Sequence, residues 1–185
     1  MTLLSLPAVS RLAPYGGSSE KRAQFLFDVV DAVGSVWGSD RIGVKLSPYW
    51  RREPAFTADA EMLTDYDLLL KRLSDTDLAY LHLVGPEPDT GTDDTFTAFT
   101  HYRGAVIANL GFTQASGNEL LERQLADAVS FGAPFIANPD LVDRFTHGHP
   151  LAAGSRDTYF AGGAEGYTDY PAVAGSYYSR RRQAP

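Results

Sequence analysis

The chain has 185 residues, long enough for one sizeable domain, and 44% hydrophobic with 21% charged residues is the composition of a folded core, not of a disordered segment. Sixteen basic against 23 acidic residues leave a net charge of −7, which argues against nucleic acid as a partner, and the run Arg180, Arg181 and Arg182 near the end reads as a solvated tail. With no cysteine, disulfides, thiolate metal sites and cysteine nucleophiles are excluded together.

In chain order, the opening stretch from Met1 to Val9 is mildly apolar, has no basic residue and is interrupted by Pro7. It reads as a short arm and not as a signal peptide. No apolar run approaches the roughly 20 residues that cross a bilayer, so no membrane partner is expected and a cytoplasmic location is the default. Pro14-Tyr15-Gly16-Gly17 marks a turn, and Ser18 or Ser19 can cap a helix. Phe25, Val29, Val30, Val33, Val36 and Trp37 fall at helical spacing and predict one buried stripe, with Gly38 placed to stop the helix.

Ile42, Val44 and Leu46 alternate before Pro48 and predict a strand over 41–48. Residues 49–58 are expected to form a loop. A second helix is predicted from about Asp59 to Leu73, with Met62, Leu63, Tyr66, Leu69, Leu70 and Leu73 on one face. The apolar run 78–84 predicts a second strand, closed by Gly85-Pro86, and a polar stretch follows over 87–97. A third strand is expected over 104–109, part of a short helix over 119–125 and a fourth strand over 127–131. Asn138 as cap and Pro139 at the first helical position predict another short helix. After Gly148 the chain reads mostly as loop.

Four strands that are apolar on both faces and alternate with helices predict an α/β fold with a parallel sheet built from βα units. A closed (β/α)8 barrel usually needs about eight strands and roughly 250 residues. The pattern alone therefore leaves half a barrel or a small open α/β sheet. The expected division is an N-terminal arm and turn over 1–17, the domain over 18–172 and a flexible tail over 173–185.

Tyr15-Gly16-Gly17-Ser18 followed by Arg22, Arg41-Ile42-Gly43-Val44-Lys45-Leu46-Ser47-Pro48, the run from Ala79 to Leu83, the run from Phe131 to Val142 and the run from Gly162 to Pro171 share one order and spacing. Together they resemble the C-terminal half of the old yellow enzyme family of FMN-dependent NAD(P)H oxidoreductases, from about residue 11 to residue 172. The resemblance implies a partial (β/α)8 TIM barrel of about four parallel strands, with FMN at the C-terminal mouth of the strands and NAD(P)H as electron donor. It implies reduction of an activated, enone-like alkene, in which the flavin carries the redox chemistry.

The same resemblance assigns candidate cofactor-binding positions. Lys45 stands where the family has an arginine beside the flavin N1 and O2 region. It can stabilise negative charge there but lacks the planar fork; the other reading is a lysine paired with a local carboxylate. Asn109, Leu110 and Gly111 occupy the turn where backbone amides meet the phosphate, and a Leu110 side chain would hinder close approach. Phe131, Gly132 and Ala133 occupy the next such turn, with Ala133 at the place of the phosphate-binding arginine. Otherwise Gly111 and Gly132 are ordinary turn glycines. Tyr159 and Phe160 stand at the flavin rim, or else pack on the barrel edge.

The family's histidine pair that grips the substrate oxygen lies upstream of the Tyr-Gly-Gly-Ser motif, and residues 1–10 contain no histidine. No catalytic residue is therefore assigned. His82 is expected to be a hydrogen-bonded core residue. His101, His147 and His149 lack metal-ligand spacing, so no metal is assigned. Half a barrel has two open sheet edges and an open interior face. The expected partners are a second copy or a separate N-terminal half-barrel subunit, with a weakened FMN site. The alternatives to an enzyme are a non-catalytic binding or regulatory half-barrel and a degenerate fragment.

Overall fold

In the computed structural model, residues 15–50, 56–57, 60–85, 96, 101–160 and 163–176 are described. The chain divides into two compact units, Met1–Ser130 and Phe131–Pro185.

The first unit opens with helix α1 (Ser19–Trp37), ended by Gly38 at φ 86. The predicted stripe is only partly the buried one. Arg22, Ala23, Phe27 and Val30 are buried, whereas Phe25, Val29, Val33, Val36 and Trp37 are exposed. After a 3-10 turn (Ser39–Arg41) comes strand β1 (Gly43–Leu46). The expected loop over 49–58 contains instead two short antiparallel strands, β2 (Tyr49–Trp50) and β3 (Phe56–Thr57). Helix α2 (Ala60–Leu73) buries Tyr66, Leu69, Leu70 and Leu73 completely, as its spacing predicts. Strand β4 (Tyr80–Val84) follows; most of the polar stretch 87–97 lies outside the described residues.

Strand β5 (Val106–Asn109) leads through Leu110 and Gly111 to helix α3 (Gln114–Glu122). That helix starts earlier than predicted. Thr113 caps it, accepting from Ser116 N, while Ser116 Oγ accepts from Thr113 N, which satisfies donors at the first turn from both ends. Strand β6 (Ala128–Ser130) completes a four-stranded, all-parallel sheet in the order β1-β4-β5-β6. Among the described residues, β1 and β6 each pair on one side only.

The two faces of this sheet differ. Val44, Leu46, Leu81, Leu83, Val106 and Ala108 are buried and join α1 and α2 in one apolar core. The opposite face carries Gly43, Lys45, Tyr80 and Ala128, all exposed, with His82, Ile107, Asn109 and Ser130 half-buried. Gly43 is the register partner of Tyr80, and a Cβ there would meet the Tyr80 ring at 2.3 Å, so only glycine lets the ring lie across the strand. A bidentate ion pair fastens α1 to α2. Arg22 Nε donates to Asp65 Oδ2 at 2.7 Å and Nη2 to Oδ1 at 2.6 Å, with both side chains buried.

In the second unit, short helix α4 (Ala133–Ala137) precedes α5 (Leu141–His147), which ends at Gly148 in the left-handed region, φ 66. Asn138 is not the cap of a following helix, as the sequence suggested. It ends α4, and the N-cap of α5 is Asp140. Its fully buried amide instead ties the loop together. Nδ2 donates to Pro134 O at 2.9 Å and Ala152 O at 3.1 Å, and Oδ1 accepts from Ala152 N at 2.7 Å. Asp140 is buried beside it, accepting from Arg144 Nε at 2.7 Å and from Val173 N at 2.6 Å. A 3-10 turn (Arg156–Thr158) interrupts an otherwise irregular end, and Ser176 is buried.

Candidate functional site

Parallel strands place their C-terminal ends on one side of the sheet, where βα turns gather polar groups. Lys45 lies on β1, in register with His82 on β4. His82 is in register with Ile107 on β5, which is in register with Ala128 on β6. One residue pair further on, Val84, Asn109 and Ser130 share a level. The period of two puts Lys45, His82, Asn109 and Ser130 on the face away from the core helices.

These side chains form a polar row. His82 Nε2 and Ser130 Oγ share a hydrogen bond of 2.9 Å that passes over β5. Asn109 Nδ2 donates to Ser130 Oγ at 2.8 Å and to Ser130 O at 3.1 Å, and Ser130 Oγ also lies 3.3 Å from Ala108 O. His82 is thus the hydrogen-bonded residue that its sequence context suggested. Its partner Ser130 was not singled out, because only the strand order reveals that β4 and β6 flank β5. Lys45 is exposed, and none of the ion pairs of the described residues involves it.

Burial first, and the positive charge of Lys45 second, lower the His82 imidazole from its ordinary value of 6.5. The folded state therefore favours neutral His82, and the unfolded chain binds the proton at higher pH. This contribution to stability is complete above the unfolded value and is lost as the pH falls below it. Urea midpoints should drop between pH 7 and 5, and His82→Gln should flatten part of that slope. An identical slope in the variant would assign the acid sensitivity elsewhere.

Beyond Asn109 the chain turns through Leu110 at φ 94 and Gly111 at φ 71. A leucine in this region costs on the order of 1–3 kcal/mol, which the surrounding turn must hold. Gly85 N donates to Asn109 O at 3.1 Å, fixing one side of that turn to β4.

The remaining candidates belong to the second unit. Phe131 is half-buried, its ring 5.2 Å from Phe145. Gly132 is the exposed N-cap of α4 at φ −93, and a Cβ there would meet no atom within 4 Å, so no steric demand requires glycine. Ala133 is exposed at the first position of α4. Tyr159 is buried, its ring filling the space beside Gly154, and Phe160 is 75% exposed, edge-on to Tyr159 at 6.3 Å. Among the described residues no group of three or more histidine and acidic side chains could hold a metal ion. No helix of the described residues is long and apolar enough to cross a membrane.

The model of the NADH:flavin oxidoreductase / NADH oxidase family matches residues 4–152. The chain belongs to this family. Among relatives of this flavin oxidoreductase family, 12-oxophytodienoate reductase 2 of Arabidopsis thaliana is 34% identical over 172 residues, covering 88% of this chain and 45% of its own. A probable flavin mononucleotide-dependent alkene reductase of Leishmania infantum is 35% identical over 164 residues, covering 87% of this chain and 44% of its own. The structure of morphinone reductase in complex with tetrahydroNAD superposes with a TM-score of 0.82 at 36% identity, over 94% of this chain and 47% of that one. The old yellow enzyme from Trypanosoma cruzi gives 0.78 at 32% identity, over 88% and 43%. The chain thus spans about half the length of the relatives it matches, and its four-stranded sheet is part of a (β/α)8 barrel.

Proposed function

We propose that the chain contributes the C-terminal half-barrel of an FMN-dependent NAD(P)H oxidoreductase that reduces activated, enone-like alkenes, and that a second half-barrel is needed for turnover. The observation that carries this reading is the polar row at the C-terminal ends of the parallel strands, with Lys45 exposed and without a carboxylate partner among the described residues. A cation in that place suits the pyrimidine edge of an isoalloxazine ring, where negative charge collects on reduction. The Leu110–Gly111 turn, with both φ values positive, keeps a backbone path that a glycine pair would take, so Gly111 N–H remains suited to a phosphate. Ala133 offers a phosphate no charge.

The residues therefore fit the flavin at its ring edge and fit its phosphate less well. When bound, FMN supplies hydride transfer from a nicotinamide to the alkene β-carbon. Lys45 would hold the ring edge and stabilise its charge; Asn109 and Ser130 would fix the strand ends beneath it. Tyr159 is buried, so of the two rim candidates Phe160 presents the open ring face. Mixing this chain with an N-terminal half-barrel of the family should give NADPH-dependent reduction of cyclohexenone that neither half gives alone. No gain on mixing, with FMN bound, would favour a non-catalytic binding or regulatory half-barrel.

Restoring the missing charge is a sharper check. Ala133→Arg should add a charge-assisted phosphate contact of about 2–3 kcal/mol, tightening FMN by roughly 30–150-fold. Flavin fluorescence titration would measure it, and unchanged affinity would remove Ala133 from the site.

A further inference from the structure

Helix α5 ends at His147, and the chain then turns through Gly148 in the left-handed region, φ 66, to reach His149. His149 N donates to Arg144 O at 2.9 Å, which ties the residue beyond the turn back to the helix. The turn brings the two imidazole rings together, with centroids 5.8 Å apart and planes inclined by 31°. Their spacing in the sequence marks no metal site; the turn at Gly148 makes the pair. Both residues are exposed, and with Asp143 and Ser176 they line one cavity of about 220 Å³. All of these residues lie in the second unit, and none belongs to the flavin site proposed above.

A hydrogen bond fixes which nitrogen of His147 is available. Its Nδ1 lies 2.8 Å from Asp143 O, one turn back on α5. A carbonyl oxygen only accepts, so Nδ1 carries the proton and Nε2 keeps its lone pair. A backbone carbonyl holding the far nitrogen is a common way in which metal-bound imidazoles are oriented. The distance between the rings then decides what the pair can do. A transition-metal ion sits about 2.0–2.1 Å from an imidazole nitrogen and so about 3.2 Å from the ring centre, which lets two rings share one ion up to a centre-to-centre separation of about 6.4 Å. At 5.8 Å the two rings fall inside that limit.

We propose that His147 and His149 form a two-histidine chelate for a divalent first-row transition-metal ion of the Zn²⁺, Ni²⁺ or Cu²⁺ type. Imidazole nitrogen suits these cations and not Mg²⁺ or Ca²⁺, which take oxygen ligands. No third histidine or acidic side chain among the described residues completes the set, so water fills the remaining positions. Such an open site binds in the micromolar range, without the tightness of a closed four-ligand site. Asp143 places a carboxylate in the same cavity, and the net charge of −7 adds a field that favours a cation. Arg144, the neighbouring cation on α5, is buried and neutralised by Asp140 at 2.7 Å. A bound ion would clamp the end of α5 to the turn beyond it. This inference does not depend on flavin binding, and it can fail while the proposed function stands.

Isothermal titration of the full chain with ZnCl₂ tests it. A single ion per chain is expected. His147→Ala and His149→Ala should each weaken binding by about tenfold or more, the lower end of what even an outer partner of a metal-bound histidine contributes. His101→Ala is the control, because His101 is exposed elsewhere in the chain, 3.6 Å from Asp67, and its loss should leave binding unchanged. MgCl₂ should give no heat of binding. With CuCl₂ the electron paramagnetic resonance spectrum should show coupling to two imidazole nitrogens, and to one in either variant. No Zn²⁺ binding up to millimolar concentration would overturn the proposal. So would a His147→Ala or His149→Ala variant that binds as tightly as the wild type, or His101→Ala weakening binding as much as they do, which would indicate an adventitious ion only.

Discussion

Replacing Asp140 with alanine is expected to destabilise the second unit by about 3–5 kcal/mol, the cost of leaving a buried guanidinium without its carboxylate. Arg144 would keep its bonds to Pro150 O at 2.6 Å and Pro171 O at 3.0 Å, but lose the short bond from Nε. Val173 N would lose its acceptor, Asp140 Oδ2. Burial alone would raise the Asp140 pKa; the bonds from Arg144 and from Val173 N outweigh it and hold the carboxyl below its ordinary value. The stability this supplies is present above the unfolded carboxyl value and is lost as the pH falls through the lower, folded one. Hydrogen exchange at Arg144, Ala152 and Val173 would show the loss locally. Unchanged protection in Asp140→Ala would mean that the bonds from Arg144 to Pro150 and Pro171 suffice.

The second large effect belongs to the first unit. Asp65→Ala should lower its stability by about 3–5 kcal/mol, because Arg22 is buried and loses the bidentate carboxylate, while Gly17 O and Ser19 Oγ, which also accept from it, carry no charge. The control is Asp67→Ala on the same helix. Its partners Lys71, at 2.6 Å, and His101, at 3.6 Å, are both exposed, and an exposed pair of this kind contributes about 0.3–0.5 kcal/mol. Urea denaturation of the two variants should therefore differ by several kcal/mol in midpoint-derived stability. Equal effects would show that burial does not set the strength of the Arg22–Asp65 pair.

What the sequence shows follows from how each element earns its stability. Helix α2 and the four parallel strands are legible because each carries an apolar run or a single strong stripe, and those patterns survive any arrangement of neighbours, although only one face of the sheet joins the apolar core. Helix α1 is legible as a helix, but not in its orientation. Its apolar residues cover two faces, and periodicity alone does not say which one the sheet takes. The start of α3 escapes the usual reading because its reciprocal cap uses Ser116 in place of a glutamate or glutamine. Asn138-Pro139 carries the signature of a helix start, yet Asn138 spends its amide on Pro134 and Ala152.

The candidate site divides in the same way. Lys45, Leu110 and Ala133 come from resemblance, since nothing in their immediate neighbours marks them chemically. The His82–Ser130–Asn109 row depends on strand order, which brings together residues 48 positions apart. The positive φ of Leu110 has no sequence signature, because leucine ordinarily marks core and not a left-handed turn.

The central claim is that this half-barrel retains a flavin site built on Lys45 and the turn after Asn109. The most direct measurement is the visible absorbance and fluorescence of the purified full chain during titration with FMN. Saturable quenching with a shifted flavin spectrum, weakened by Lys45→Ala and strengthened by Ala133→Arg, is the predicted result. A protein that stays colourless after gel filtration and gives no quenching at millimolar FMN, with or without Ala133→Arg, would contradict it.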